Sequence, residues 1–246
     1  MSHRTLVVAH DGCEQSPPHT LEFVLGALDA GADIIEVDIR TTRDGVVVLQ
    51  HDAEFRVDER PLRIIEVTFN ELEGLQRAGR LTGKRPIGRI TRLDEILKVM
   101  GVRGTVFNLD VKEDEVIDPT VSMLRKNDMV DRVVFSGCEA RRARYVKSHY
   151  ADCQVLFNVS EAQYEQGIAD HGAFVRSICR DAAEASCCGL NVYATSCSEE
   201  LVAYAALRYL PVSVWTVDDV ETMRHFLRLG VYSITTNQVA ALRQLV

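Results

Sequence analysis

Four short stretches place groups capable of chemistry at fixed spacing: His10 in AHDG, Glu36 and Asp38 in IIEVDIR, His51 in VVVLQHD, and Asn108, Asp110 and Lys112 in VFNLDVK. Side chains alternate between two faces of an extended chain, so Glu36, Asp38 and Arg40 share one face and Ile35, Val37 and Ile39 the other. The two carboxylates then point the same way, about 7 Å apart along the strand. Asn108, Asp110 and Lys112 repeat the pattern, with Phe107, Leu109 and Val111 opposite. If these faces meet, three carboxylates, two histidines and one lysine crowd together, and like charges in a low-dielectric site need protons or a cation to offset them. An all-oxygen donor set favours a hard divalent cation, Mg2+ or Ca2+, over a thiolate-seeking metal. An edge strand with one solvated face gives the same alternation. Against that reading stands the neighbourhood: a turn signal at Asp44-Gly45, then an apolar run that stops abruptly at His51-Asp52.

The elements that must position these groups alternate in type. Residues 5–10 read as a short strand ending in His10, and residues 20–30 carry Leu21, Val24, Leu25 and Leu28 at helical spacing before Gly31. Residues 53–104 are mixed and partly helical, an insertion or connecting segment, with FNELEGL and then RLDEILKVM ahead of Gly101. Beyond it, strands at TVFNLDVK, RVVFSG, CQVLFNVS, GLNVYA, VSVWTV and YSITT are interspersed with helices at PTVSMLRKN, EARRARYVKS, SEELVAYAALRY and DVETMRHFLRLG. Repeated units of this length predict an α/β fold, a TIM (β/α)8 barrel forming one domain over residues 1–246. The strand candidates number one more than such a barrel holds. The tight Asp44-Gly45 turn leaves no room for a crossover helix, so one strand of that pair is expected to be antiparallel or to lie outside the barrel. An open doubly wound sheet is the alternative, although neither GxGxxG nor GxxxxGK[ST] supports a nucleotide-binding version of it. In a barrel, chemistry gathers at the C-terminal ends of strands, where His10, Glu36, Asp38 and His51 fall.

Composition narrows the partners. A net charge of -8 without any Lys/Arg cluster argues against nucleic acid, so a bound phosphate must be met locally. No apolar run approaches the roughly 20 residues of a membrane span, and no charged start precedes an apolar one; a cytoplasmic location is expected. The seven cysteines are odd in number, lack CxxC spacing and include the adjacent Cys187-Cys188, which suits reduced, packed thiols. Cys13, near His10, reads as one of these, and His149, His171 and His225 read as surface residues.

At this point the residues carry a resemblance. AHDG, GADIIEVDIRTTRDGVVVLQHD and NLDVK resemble the AHRG, GAD-IE-D-T-DG-V-HD and E-x-K stretches of the glycerophosphodiester phosphodiesterase family, in the same order and at similar spacing. TRLDEIL and SVWTVDD extend the likeness from about Val7 to Asn237. The resemblance implies a TIM barrel in which Glu36, Asp38 and Asp110 hold one divalent cation, Mg2+ or Ca2+ with Mn2+ as a third candidate. It further implies that His10 and His51 act as general acid and base, that Lys112 contacts phosphate or developing negative charge, and that Trp215 lines the pocket of a small phosphodiester substrate. Each has a plainer reading: buried hydrogen-bonded histidines, a structural ion pair for Lys112, and simple packing for Trp215.

The chain also departs from the family pattern. The Arg after the first His is Asp11, the Glu of P-E-N-T is His19, the Glu of E-x-K is Asp110, and the Asp of a late T-D motif is Asn237. Asp110 remains a carboxylate, but Asp11 puts an anion where a phosphate-binding guanidinium is expected. Asp11 and His19 are therefore expected to form a polarity-reversed pair beside the substrate. The resemblance implies a metal-dependent hydrolase releasing an alcohol and glycerol phosphate. The departures leave open a cyclising phospholipase D-like lyase, or a barrel that binds without turnover.

Overall fold

The computed structural model describes residues 4–83, 89–100 and 105–246. Its strands are β1 (Leu6–Ala9), β2 (Ile34–Thr41), β3 (Val47–Leu49), β4 (Glu54–Val57), β5 (Arg60–Arg63), β6 (Leu81–Thr82), β7 (Val106–Val111), β8 (Val133–Cys138), β9 (Gln154–Val159), β10 (Gly189–Tyr193), β11 (Val212–Trp215) and β12 (Ser233–Thr236). The helices are α1 (Leu21–Asp29), α2 (Phe69–Arg77), α3 (Leu93–Met100), α4 (Ile117–Lys126), α5 (Ala140–His149), α6 (Glu161–Gly167), α7 (His171–Glu184), α8 (Glu199–Leu207), α9 (Val220–Leu229) and α10 (Val239–Arg243). None of the described helices is long and apolar enough to cross a membrane.

Eight parallel strands, β1, β2 and β7 to β12, form a closed barrel, because β1 pairs with both β12 and β2. The outward faces of β2 and β7 supply Ile35, Val37, Ile39, Phe107 and Leu109, all fully buried beneath the surrounding helices. With the apolar residues committed outward, the alternate positions point their polar groups into the barrel. The ninth strand candidate is β3, antiparallel to β2 with Ile39 opposite Leu49, as the Asp44-Gly45 turn requires. Helix starts follow their caps. Thr20 accepts from the Phe23 amide (3.1 Å) to open α1, and Thr68 with Glu71 makes a reciprocal capping box on α2.

Two parts of the architecture were not anticipated. Between β3 and α3 the chain builds a small antiparallel sheet in the order β5-β4-β6, whose inner residue Phe55 joins Val48, Ile64, Phe69, Leu72 and Ile90 in a satellite core. Between β9 and β10 lie α6 and α7; α7 buries Phe174, Val175, Ile178, Cys179 and Ala182, an i, i+1, i+4, i+5, i+8 stripe with helical period. Gly101, the expected stop of the helix before β7, lies outside the described residues.

One irregularity in the barrel bears directly on the inner surface. The β8–β9 register shifts between Phe135 and Cys138, and Gly137 there has a φ of +67°. A Cβ at this position would lie 2.2 Å from Asp110 Oδ1 and 2.6 Å from the Val111 carbonyl. Arg142 donates to the carbonyls of both Val111 and Gly137, and the Gly137 amide donates to Asn158 Oδ1 at 2.9 Å. Glycine is required on two counts, backbone conformation and space for the Asp110 carboxylate. Gly137→Ala is expected to destabilise the protein by about 2–5 kcal/mol, combining left-handed strain with overpacking. Urea unfolding of the variant against wild type measures the loss.

Candidate active site

The β2–β7 register sets Asp38 beside Asp110 and Glu36 beside Asn108, one layer below. One oxygen each of Glu36, Asp38 and Asp110 lie within 4.8 Å of one another. Lys112, the residue after β7, reaches back so that its Nζ sits 2.8 Å from Asp38 Oδ1 and 2.7 Å from Asp110 Oδ2. The Asp11 backbone N–H donates to Glu36 Oε2 at 3.0 Å, and the Asp11 side chain is itself only 1% exposed. Four carboxylates thus gather at the C-terminal mouth of the barrel, two of them bridged by one lysine.

Their electrostatics follow. Burial, and after it the charges of Asp38, Asp110 and Asp11, push the Glu36 carboxyl well above its usual range against a weaker pull from Lys112. Burial also raises Asp38, but the adjacent Lys112, helped by His51 and His19, holds it net below the carboxylate range. Burial opposes the charge on Lys112, yet Asp110 and Asp38 outweigh it and raise the amine further. The raised Glu36 carboxyl, which favours its neutral form, and the Lys112 ammonium are what the chain itself sets against the crowding. Three oxygens at this separation, one of them resisting ionisation, fit a hard divalent cation, which would offset it further.

The histidines stand differently. His10, half-buried at the end of β1, places Nδ1 3.0 Å from Asn237 Oδ1. Asn237 is held in turn by Asp218, which accepts from its backbone N–H (2.7 Å) and Nδ2 (2.8 Å) and from Thr236 Oγ1 (3.1 Å). His51 lies on the rim, 65% exposed, with Nδ1 3.1 Å from Asp52 Oδ1. Its backbone is the fixed part: the His51 carbonyl accepts from Arg40 Nε (3.0 Å) and Nη2 (2.8 Å), and Arg40 is anchored by Glu113 at 2.9 Å. Trp215, ending β11, meets Tyr193 edge-on with ring centroids 5.3 Å apart, and its buried Nε1 has no partner among the described residues.

Asp11 and His19 do pair. Asp11 Oδ1 accepts the His19 backbone N–H at 2.7 Å, and Asp11 Oδ2 takes the His19 Nδ1. Cys13 is buried, its thiol pushed up to about 12 by burial and then by Glu14 and Asp11, which suits packing rather than reactivity. His149 and His225 are exposed, but His171 is a correction. It is half-buried, with Nε2 2.8 Å from Ser198 Oγ and its ring against Tyr164 and Phe174, because it opens α7 where that helix packs on α6. Asp218, Arg40, Glu113 and Gly137 were not singled out as site residues, since each acts only through a neighbour that folding supplies.

The glycerophosphoryl diester phosphodiesterase family profile matches residues 10–241, nearly the whole chain. The chain belongs to this family. It is by that membership a phosphoric diester hydrolase, of a family generally dependent on a divalent metal. The glycerophosphodiester phosphodiesterase of Caldanaerobacter subterraneus subsp. tengcongensis is 26% identical across 99% of this chain and 98% of its own. Among solved structures, the glycerophosphodiester phosphodiesterase of Thermotoga maritima superimposes with a TM-score of 0.77 at 22% identity, covering 100% of both chains. A phosphodiesterase from Oleispira antarctica, solved with the product sn-glycerol-3-phosphate, superimposes with a TM-score of 0.74 at 20% identity, covering 97% of this chain and 95% of that one. At these identities the structures speak for the fold, a TIM barrel.

The raised Glu36 gives a signed pH dependence. Above the ordinary value of about 4.5, the unfolded state releases a proton that folded Glu36 retains, so the metal-free protein should lose stability as pH rises from there toward the folded value. Thermal unfolding in chelator across that range is expected to show a falling midpoint, with a shallower fall in Glu36→Gln.

Proposed function

We propose that this protein hydrolyses glycerophosphodiesters, releasing an alcohol and glycerol phosphate, with a divalent cation held by Glu36, Asp38 and Asp110. The observation that carries the reading is the convergence of these three carboxylates, from two adjacent strands, within 4.8 Å. Such a cation, Mg2+ or Ca2+ on the oxygen donors alone and Mn2+ as a third candidate, supplies Lewis acidity toward the phosphate and a hydroxyl.

The chain's own groups do the rest. An Asn237 oxygen can only accept, so the proton of neutral His10 sits on Nδ1 and leaves the Nε2 lone pair as a general base. His51, its Nδ1 held 3.1 Å from Asp52 Oδ1, stands on the rim where its Nε2 can serve as the general acid toward the departing alcohol. Lys112 keeps Asp38 and Asp110 together and presents positive charge toward the phosphate. Trp215, braced by Tyr193, forms an apolar wall for a small phosphodiester.

Chelation is expected to abolish hydrolysis of glycerophosphodiesters, and added Mg2+, Ca2+ or Mn2+ to restore it. Glu36→Gln keeps the shape and removes the charge, so circular dichroism should be unchanged while calorimetric titration shows cation affinity lower by at least about 10–100-fold, the scale set by outer-sphere partners. Equal affinity in both proteins would overturn the metal assignment. Phosphorus NMR separates hydrolysis from cyclisation, since a persistent cyclic phosphate is the mark of a lyase.

A further inference from the structure

Asp11 and His19 are the two residues at the mouth that this mechanism leaves without a task. Their geometry is specific. The buried Asp11 carboxylate holds the His19 ring through Nδ1 and its backbone through N–H, while the Asp11 amide is tied to Glu36 Oε2 at 3.0 Å. An ionised carboxylate only accepts, so the proton in the Asp11–His19 bond belongs to Nδ1, and a neutral ring then carries its lone pair at Nε2. That atom has no hydrogen bond to any described residue. A His19 ring nitrogen lies within 4.8 Å of oxygens of both Asp11 and Asp38, and Asp38 also belongs to the carboxylate cluster. A carboxylate behind the far nitrogen is the arrangement that fixes the tautomer and raises the basicity of a metal-bound imidazole.

We infer that His19, backed by Asp11, is a fourth ligand to the cation held by Glu36, Asp38 and Asp110, and that it shifts the site from hard Mg2+ and Ca2+ toward Mn2+ and Co2+. The inference rests on the carboxylate cluster being a cation site. Oxygen donors alone select hard cations, whereas adding one imidazole favours first-row transition metals, in the order Mn2+ below Co2+. On this account the exchange of Arg and Glu for Asp11 and His19 trades a fixed phosphate-binding cation for tighter retention of a metal. A purely structural Asp11–His19 pair would close the 11–19 loop but leave metal preference untouched.

The test uses the full chain stripped of metal. Calorimetric titrations with Mg2+, Mn2+ and Co2+ are compared for wild type, His19→Gln and Asp11→Asn, and the Mn2+-loaded proteins are examined by pulsed electron paramagnetic resonance for nitrogen coupling to the ion. Wild type should bind Co2+ at least about tenfold more tightly than Mg2+ and show histidine nitrogen coupling. His19→Gln should lose the coupling and at least about tenfold in Co2+ affinity while Mg2+ affinity changes little, and Asp11→Asn should give a smaller loss of the same kind. Absence of nitrogen coupling in wild type, its persistence in His19→Gln, or equal loss of Mg2+ and Co2+ affinity overturns the inference and leaves the carboxylate site standing. The wild-type spectrum decides even if a variant folds poorly. If wild type binds none of the three ions, the carboxylate reading itself falls.

Discussion

Mutual repulsion among Asp11, Glu36, Asp38 and Asp110 is the constraint on which the mouth of this barrel depends. Four carboxylates with so little access to water cannot all ionise against one lysine, and the surrounding structure is arranged around that imbalance. Lys112 bridges two of them, the Asp11 amide donates to the third, and a histidine pairs with the fourth. Taken as structural ion pairs these would be a poor investment, because desolvating the groups costs more than their attraction returns. The arrangement makes physical sense if an added charge completes it.

The barrel keeps these charges together by spending its apolar residues elsewhere. On β2 and β7 every outward position that matters is branched or aromatic and fully buried, so slipping β2 by one residue would turn Ile35, Val37 and Ile39 inward, slipping β7 would do the same to Phe107 and Leu109, and either slip would drive carboxylates under the helices. Register is therefore set by the outer core, and the inner polar face inherits its geometry. The Gly137 bulge has the same logic: β8 bends where Asp110 needs room, and Arg142 gathers up the carbonyls the bend displaces.

Much of this was legible in the chain. Period-two alternation in IIEVDIR and VFNLDVK disclosed which side chains share a face, and the Asp44-Gly45 turn disclosed that one of nine strand candidates had to run backward or lie outside the barrel; β3 does both. What escaped shares a physical character. The β4, β5 and β6 strands are only two to four residues long, and charged residues in β4 and β5 break up Phe55, Val57 and Leu62, so no window shows a period. The support of His10 by Asn237 and Asp218 joins residues 227 positions apart or adjoining the far end of the chain, a contact that only closure of β1 on β12 creates. His171 looked like a surface residue because the helix covering it had not been read.

His51 lies two residues past the end of β3, a strand that is not part of the closed barrel. The β2–β3 hairpin brings it straight back to the rim, and Arg40, itself clamped by Glu113, grips its carbonyl before the chain departs into the segment that leads to β7. Whatever that excursion does in length or shape, the histidine's backbone is anchored upstream of it. The segment after His51 packs back on Val48 and pairs Thr91 with Leu49, so away from those two contacts its length can change without loosening the grip on the His51 carbonyl.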